Sequence, residues 1–92
     1  MGYNSPEWAI AYVGSIFHNN IVTGVYITNG PAACQYQAEH SEAEVIVVDT
    51  LEQLKIYMGI LSSLPRTKAV VAWGDFAIPE EIAKDSRVYT FK

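Results

Sequence analysis

The fold is decided by residues 21–49, IVTGVYITNGPAACQYQAEHSEAEVIVVD. An apolar, β-branched run at residues 21–28 predicts a strand, and Asn29-Gly30-Pro31 breaks it. A short helix to about Ser41 should follow, and then a fully apolar strand at residues 45–48. Strand, turn, helix and strand at this length predict a βαβ unit, in which a right-handed crossover joins two parallel strands.

The run at residues 21–28 lacks clean alternation of apolar and polar residues, which is expected of a strand covered on both faces. Gly24 interrupts it without a side chain. A glycine within a strand indicates that another backbone or helix comes close at that point. We therefore expect this strand to be covered on both faces and to be closely approached at Gly24.

A helix should precede the βαβ unit. Ser5 is a favoured N-cap, Pro6 suits the first helical position, and an acid follows in the first turn. The residues after them are apolar almost all round the helix, which predicts burial on more than one side. The sequence His18-Asn19-Asn20 should end the helix, because Asn tolerates the left-handed conformation.

The chain after the βαβ unit predicts one helix and further short elements. Thr50 and Gln53 form the pattern of a capping box for a third helix, which Pro65 stops. The residues after it predict a strand at residues 68–73, a helical turn at residues 78–82 and a last strand at residues 87–91. Together the elements predict an α/β, three-layer fold, with a parallel sheet of about three to four strands and helices on both faces.

Composition narrows the classes of function. Half of the 92 residues are hydrophobic and 17% are charged, so some apolar faces should meet another layer, domain or subunit. The net charge of −4 and the lack of a basic cluster argue against a nucleic-acid partner. No stretch reaches the roughly 18 apolar residues of a membrane span. The single cysteine, Cys34, fits a reducing compartment, and we expect a cytoplasmic location.

The patterns for nucleotide and metal chemistry are mostly missing. The turn at residues 28–31 has one glycine and a proline without an N–H, and it is therefore a poor phosphate cradle. His18 and His40 are too few soft ligands for a zinc site, and both lie near helix ends. Cys34 lies in a helix among Ala and Tyr residues, where a small core residue is a better interpretation than a nucleophile.

Asp49 is the one acid at the end of a predicted strand, where open α/β sheets place functional groups. A receiver-type phosphoacceptor would stand there, but its cation site needs an acidic pair on an earlier strand. No such pair precedes residue 21. We favour a role for Asp49 in starting the helix at Thr50.

Three segments, NSPEW at residues 4–8, IVTGVY at residues 21–26 and ACQY at residues 33–36, resemble acyl-CoA synthetases of the adenylate-forming (AMP-binding) superfamily. They are most similar to the bubblegum-type branch of long-chain fatty acid–CoA ligases, in the same order and at similar spacing. Leu64-Pro65 and residues 68–71 also match that branch. The sequence departs from that branch at His18-Asn19-Asn20, where the family has a small residue and two glycines. Ala32 replaces a Glu of the family, and Gln37 replaces an apolar residue.

The resemblance implies that residues 1–92 are a single partial domain, part of the N-terminal AMP-binding domain of such a ligase. The family couples a fatty acid to AMP using ATP and Mg²⁺, and then transfers the acyl group to CoA. Its phosphate loop, ribose-binding Asp and adenylation Lys have no counterpart here, so we assign no catalytic, cofactor-binding or metal-binding residue. The parent ligase is expected in the cytoplasm, with peripheral membrane attachment as an option.

Three functions follow as hypotheses. The first is a fragment of a long-chain fatty acid–CoA ligase that is inactive alone and pairs with the remainder of the ligase. The second is a non-catalytic interaction module or truncated gene product that self-associates through apolar faces. The third is a receiver-like domain centred on Asp49.

Overall fold

The computed structural model describes residues 1–3 and 5–90. These residues form four α-helices and three strands, and in the second half of the chain two of the helices alternate with the strands. In chain order they are α1 (Pro6–Phe17), α2 (Pro31–Ser41), β1 (Val45–Val48), α3 (Leu51–Ile60, extended by a 3₁₀ turn at Leu61–Ser63), β2 (Ala69–Ala72), α4 (Glu80–Ala83) and β3 (Val88–Thr90).

The three strands form one parallel sheet in the order β1-β2-β3. Val45 lies opposite Ala69, and Val70 lies opposite Val88. Each pair is joined through a helix, α3 or α4, as parallel neighbours require. This arrangement confirms the α/β class and is consistent with a three-layer fold.

The helix ends follow the signals in the sequence. The Ser5 hydroxyl accepts the N–H of Trp8 at 3.2 Å, and Asn19 adopts a left-handed φ of 63° after α1. Helix α2 begins directly at Pro31, as predicted. Thr50 and Gln53 form the predicted capping box at α3.

The core lies between the sheet and helices α2 and α3. In β1 and β2, alternate residues are fully covered, while the residues between them are less buried. The largest fully buried side chains are Tyr57, Leu54, Val48, Val70 and Cys34. Burying an aliphatic or aromatic side chain of this size contributes about 1.5–3 kcal/mol, so this small cluster carries much of the stability.

The predicted strand at residues 21–28 is wrong for this structure. The segment is irregular, with a turn near residues 27–28. Among the described residues, none of the backbone groups of residues 21–25 takes part in a backbone hydrogen bond. A strand needs backbone hydrogen bonds to a neighbouring strand. Residues 21–28 have no such neighbour among the described strands, because β1 pairs with β2. The predicted close approach at Gly24 is also wrong, because no atom lies within 4 Å of a Cβ added there. The βαβ units are therefore β1-α3-β2 and β2-α4-β3.

The predicted burial of α1 on more than one side is also wrong. No residue of α1 is buried, and Phe17 is 85% exposed. Ile21, just beyond the helix, is 95% exposed. The apolar sequence of α1 thus meets no covering layer within the described part of the chain.

The remaining predicted elements are confirmed with small shifts in their ends. Residues 45–48 form β1 as predicted, and residues 68–73 contain β2. The helical turn predicted at residues 78–82 appears as α4. The last strand appears as β3, and the predicted end at Phe91 lies outside the described residues.

Candidate functional site

The carboxyl end of β1 is the first place to look for a site, because open parallel sheets bind ligands beyond their carboxyl edge. Asp49 lies there. Its backbone N–H donates to Gln53 Oε1 at 2.9 Å, and its Oδ2 accepts the backbone N–H of Tyr3 at 3.2 Å. The carboxylate therefore fastens the N-terminal residues to the sheet. The Gln53 side chain, rather than that of Asp49, completes the cap of α3.

Two glycines pack closely against Asp49. A Cβ added at Gly74 would collide with the Asp49 carbonyl oxygen, and one added at Gly2 would collide with the Trp73 ring. Only glycine fits at Gly74, because the contact there is with backbone, whereas the contact at Gly2 is with the Trp73 side chain. Nothing in the sequence pattern pointed to these two approaches.

Cys34 and Tyr57 are buried neighbours that carry a thiol and a phenol. Cys34 is fully buried, as predicted, and its thiol donates to the Asn29 carbonyl oxygen over 3.7 Å. Burial raises the pKa of the Tyr57 phenol, and the neighbouring Cys34 thiol adds to this rise. Burial also lowers the pKa of the Met1 amino group, while Cys34 and Asp49 act in the opposite direction. The Cys34 thiol is a core group without access for a substrate, and the Tyr57 side chain is nearly fully buried and reaches only the cavity beside β1.

Neither histidine belongs to a cluster of reactive side chains in the described part of the chain. The His40 ring stacks on the Tyr36 ring with centroids 5.7 Å apart. The His18 backbone N–H donates to the Gly14 carbonyl oxygen at 3.1 Å, which closes α1. In the described part of the chain, no three His, Cys, Asp or Glu side chains come together as metal ligands would.

The helix starts do not fit the phosphates of a nucleotide. Helix α2 begins with Pro31, which has no N–H to offer, and Gly30 before it supplies no side chain. At α3, the Thr50 hydroxyl already accepts the Gln53 N–H, and the Gln53 side chain accepts two further N–H groups. These residues therefore provide no cradle for ATP.

A cavity of about 680 Å³ opens beside β1 instead. Its walls come from α1, α2, residues 21–27 and the outer edge of β1, and Trp8, Tyr12 and Trp73 contribute aromatic surface. The Trp8 and Tyr12 rings are stacked with centroids 5.4 Å apart. The cavity is lined mainly by apolar side chains and backbone, so it suits packing against another apolar element rather than chemistry. No described helix is long and apolar enough to cross a membrane.

Comparison with known proteins connects this structure to one family. Residues 1–90 match the family described as AMP-binding enzyme. The chain is 46% identical over all 92 residues to long-chain-fatty-acid–CoA ligase ACSBG1 of Rattus norvegicus and 49% identical over 73 residues to that of Homo sapiens, which covers 79% of this chain. It is 39% identical over 92 residues to long-chain-fatty-acid–CoA ligase ACSBG2 of Xenopus laevis.

These matches cover only a small share of each relative: 12% of the rat and frog proteins and 10% of the human protein. No solved structure matches the chain. The resemblance to the acyl-CoA synthetases, first seen in residues 4–8, 21–26 and 33–36, is confirmed. The chain belongs to the AMP-binding enzyme family and is homologous to a stretch in the N-terminal region of long-chain-fatty-acid–CoA ligases.

Proposed function

We propose that this chain is a non-catalytic structural segment of a long-chain fatty acid–CoA ligase. The observation that carries the proposal is its identity of 46% to the rat ligase along its whole length, over only 12% of that ligase. The poor fit of the starts of α2 and α3 to phosphate supports a role in building the fold. A receiver-like role for Asp49 gains no support, because its carboxylate holds the N-terminal residues.

The cofactors of the reaction belong to the parent ligase in this proposal. The family implies ATP, Mg²⁺ and CoA. We assign their binding to parts of the ligase that have no counterpart in residues 1–92. The segment contributes a parallel sheet and the helices that support it, and it takes no part in the chemical steps.

The remainder of the ligase is the proposed partner of the exposed apolar residues. Phe17 and Ile21 are the most exposed large apolar side chains of the described chain, and Tyr26 is close to them in exposure. Self-association through the same residues is the second candidate, and sedimentation velocity at micromolar concentration separates the two. We propose a cytoplasmic location, with peripheral membrane attachment as a property of the parent ligase.

A graft tests the proposal. The homologous stretch of the rat ligase is replaced by these 92 residues, and the formation of acyl-CoA from a long-chain fatty acid is measured. If the segment supplies structure alone, the graft should retain activity within about tenfold of the rat enzyme. A second graft carrying Leu54→Arg, which places a charge in the core, should lose both folded protein and activity.

The control for folding is the thermal unfolding transition of each graft. A first graft that unfolds like the rat ligase but makes no acyl-CoA would contradict the proposal, because the exchanged stretch would then carry part of the chemistry. A graft that cannot fold would contradict it too, since the two stretches would not be structurally equivalent.

A further inference from the structure

The loop between α1 and α2 contains the dipeptide Asn29-Gly30, directly before the first residue of α2. Asparagine is a thermolabile residue, because its side-chain amide can be lost when the backbone nitrogen of the next residue attacks it. Glycine hinders this attack least, since it has no Cβ and its backbone moves most freely. Asn20 is followed instead by Ile21, which is branched at Cβ. The chain therefore holds an unhindered and a hindered asparagine for comparison.

The attacking nitrogen would be that of Gly30, and it is accessible. Gly30 is exposed, and its N–H donates to no other backbone group among the residues that the structure describes. The groups around it are engaged. The Asn29 N–H donates to the Tyr26 carbonyl oxygen at 3.2 Å, and the Gly30 carbonyl oxygen accepts the Cys34 N–H at 3.0 Å. The backbone is thus held before and after a nitrogen that has no backbone partner itself.

The Asn29 side chain is held by Gln37 of α2. Asn29 Nδ2 donates to Gln37 Oε1 at 2.9 Å, and both side chains are partly buried. In the attack, the side chain turns until its Cγ meets the Gly30 nitrogen, and Nδ2 leaves as ammonia. A hydrogen bond from that same Nδ2 opposes both events. Gln37 therefore restrains the side chain that would react.

We propose that Asn29 is a site of spontaneous deamidation and that Gln37 slows the reaction. The Gly30 nitrogen bonds to Asn29 Cγ and gives up its proton to solvent, Nδ2 leaves as ammonia, and a cyclic succinimide forms. Water then opens the ring at either carbonyl carbon, which leaves aspartate or isoaspartate at residue 29. Water is the co-reactant, and no atom is oxidised or reduced. The inference goes beyond the proposed function and does not depend on it.

The two products change the start of α2 in different ways. Aspartate at residue 29 adds a negative charge, and its carboxylate cannot donate to Gln37 Oε1. Isoaspartate also lengthens the main chain by a methylene group, directly before Pro31. The former Asn29 carbonyl group, which accepts the Cys34 thiol over 3.7 Å, then belongs to a side-chain carboxylate. Deamidation thus alters the contacts of residue 29 with α2.

Ageing of the purified 92-residue chain at mildly alkaline pH tests the inference. Peptide mass spectrometry follows the gain in mass as an amide becomes an acid, separately at Asn29 and at Asn20. An isoaspartate methyltransferase, which labels isoaspartate with methyl groups, counts that product. We expect Asn29 to lose its amide about tenfold or more faster than Asn20.

Two positions supply matched variants. No atom lies within 4 Å of a Cβ added at Gly30, and its φ of −81° suits any residue, so Gly30→Ala should fold and deamidate about fivefold or more slowly. Gln37→Met removes the acceptor but keeps the length of the side chain. It should deamidate about 3- to 10-fold faster, as the loss of one ordinary hydrogen bond implies. Gln37→Glu keeps an acceptor and should stay as slow as wild type.

The same rates measured in urea separate restraint by the fold from intrinsic reactivity. The difference between Gln37→Met and wild type should vanish there, while Gly30→Ala should remain slower. Circular dichroism verifies the fold of each variant in native buffer. The inference is overturned if Asn29 keeps its amide as long as Asn20 does, a comparison that needs the wild-type chain alone. Equal native rates for Gln37→Met and wild type would overturn the role of Gln37.

Discussion

The Gln53 side chain joins the end of β1 to the start of α3, and replacing it should be costly. Its Oε1 accepts the backbone N–H groups of Asp49 at 2.9 Å and of Thr50 at 3.3 Å. The residue is only 5% exposed. Gln53→Met keeps the length and volume of the side chain but cannot accept these bonds well. Each partly buried N–H left without a partner costs about 1–1.5 kcal/mol, and so we expect a loss of about 2–3 kcal/mol.

This loss is a large share of the total free energy of unfolding, which is about 5–14 kcal/mol for a chain of this length. Gln53→Glu is the matched control, because its carboxylate accepts the same bonds and complements the helix dipole, so stability should stay within about 1 kcal/mol. Urea denaturation followed by circular dichroism measures both variants. The reasoning is refuted if Gln53→Met unfolds at the wild-type urea concentration, or if Gln53→Glu is destabilised as much as Gln53→Met.

Three further predictions concern the core, the surface and the buried thiol. Leu54→Ala should lower the free energy of unfolding by about 2–5 kcal/mol, and Leu51→Ala at a half-buried site by less, as measured by urea denaturation; equal losses would contradict the placement of the core. Arg87 donates two hydrogen bonds to the Asp85 carboxylate and holds its pKa at about 2, below the ordinary 3.8. Because the Asp85 pKa is depressed in the folded state, this ion pair stabilises the fold above about pH 4, and the stabilisation is lost as the pH falls towards 2. Arg87→Gln should return the Asp85 pKa towards 3.8, as measured by carbon NMR titration. The Cys34 thiol should react with a thiol reagent about 100-fold more slowly in native buffer than in urea, and equal rates would show that it is not buried.

The elements that the sequence predicts correctly are those with local signals. The cap at Thr50 and Gln53, the proline at residue 31 and the short apolar run of β1 each depend on neighbours within a few residues. Local signals of this kind hold wherever the chain is placed, because the atoms that satisfy them are close in sequence.

The errors concern elements whose burial depends on distant partners. Residues 21–28 have the composition of a strand, but a strand also needs an edge to pair with, and periodicity does not reveal whether one is present. The apolar residues of α1 were expected to be covered, yet the described chain offers no layer to cover them. Both errors concern residues that line the cavity beside β1.

The contacts around Asp49 were not predictable from sequence for another reason. The collisions that exclude side chains at Gly2 and Gly74 involve residues far away in the sequence. The sequence favours a helix-starting role for Asp49, but its carboxylate accepts the N–H of Tyr3, which is 46 residues away in sequence. Neither contact corresponds to a recognisable sequence motif.

Exchange of labelled pyrophosphate into ATP, measured with the purified 92-residue chain and a long-chain fatty acid, tests the central claim most directly. We predict no exchange above the rate of a blank without protein, while the rat ligase under the same conditions exchanges readily. Exchange that copurifies with the chain and disappears with the Leu54→Arg variant would contradict the claim that this segment is structural.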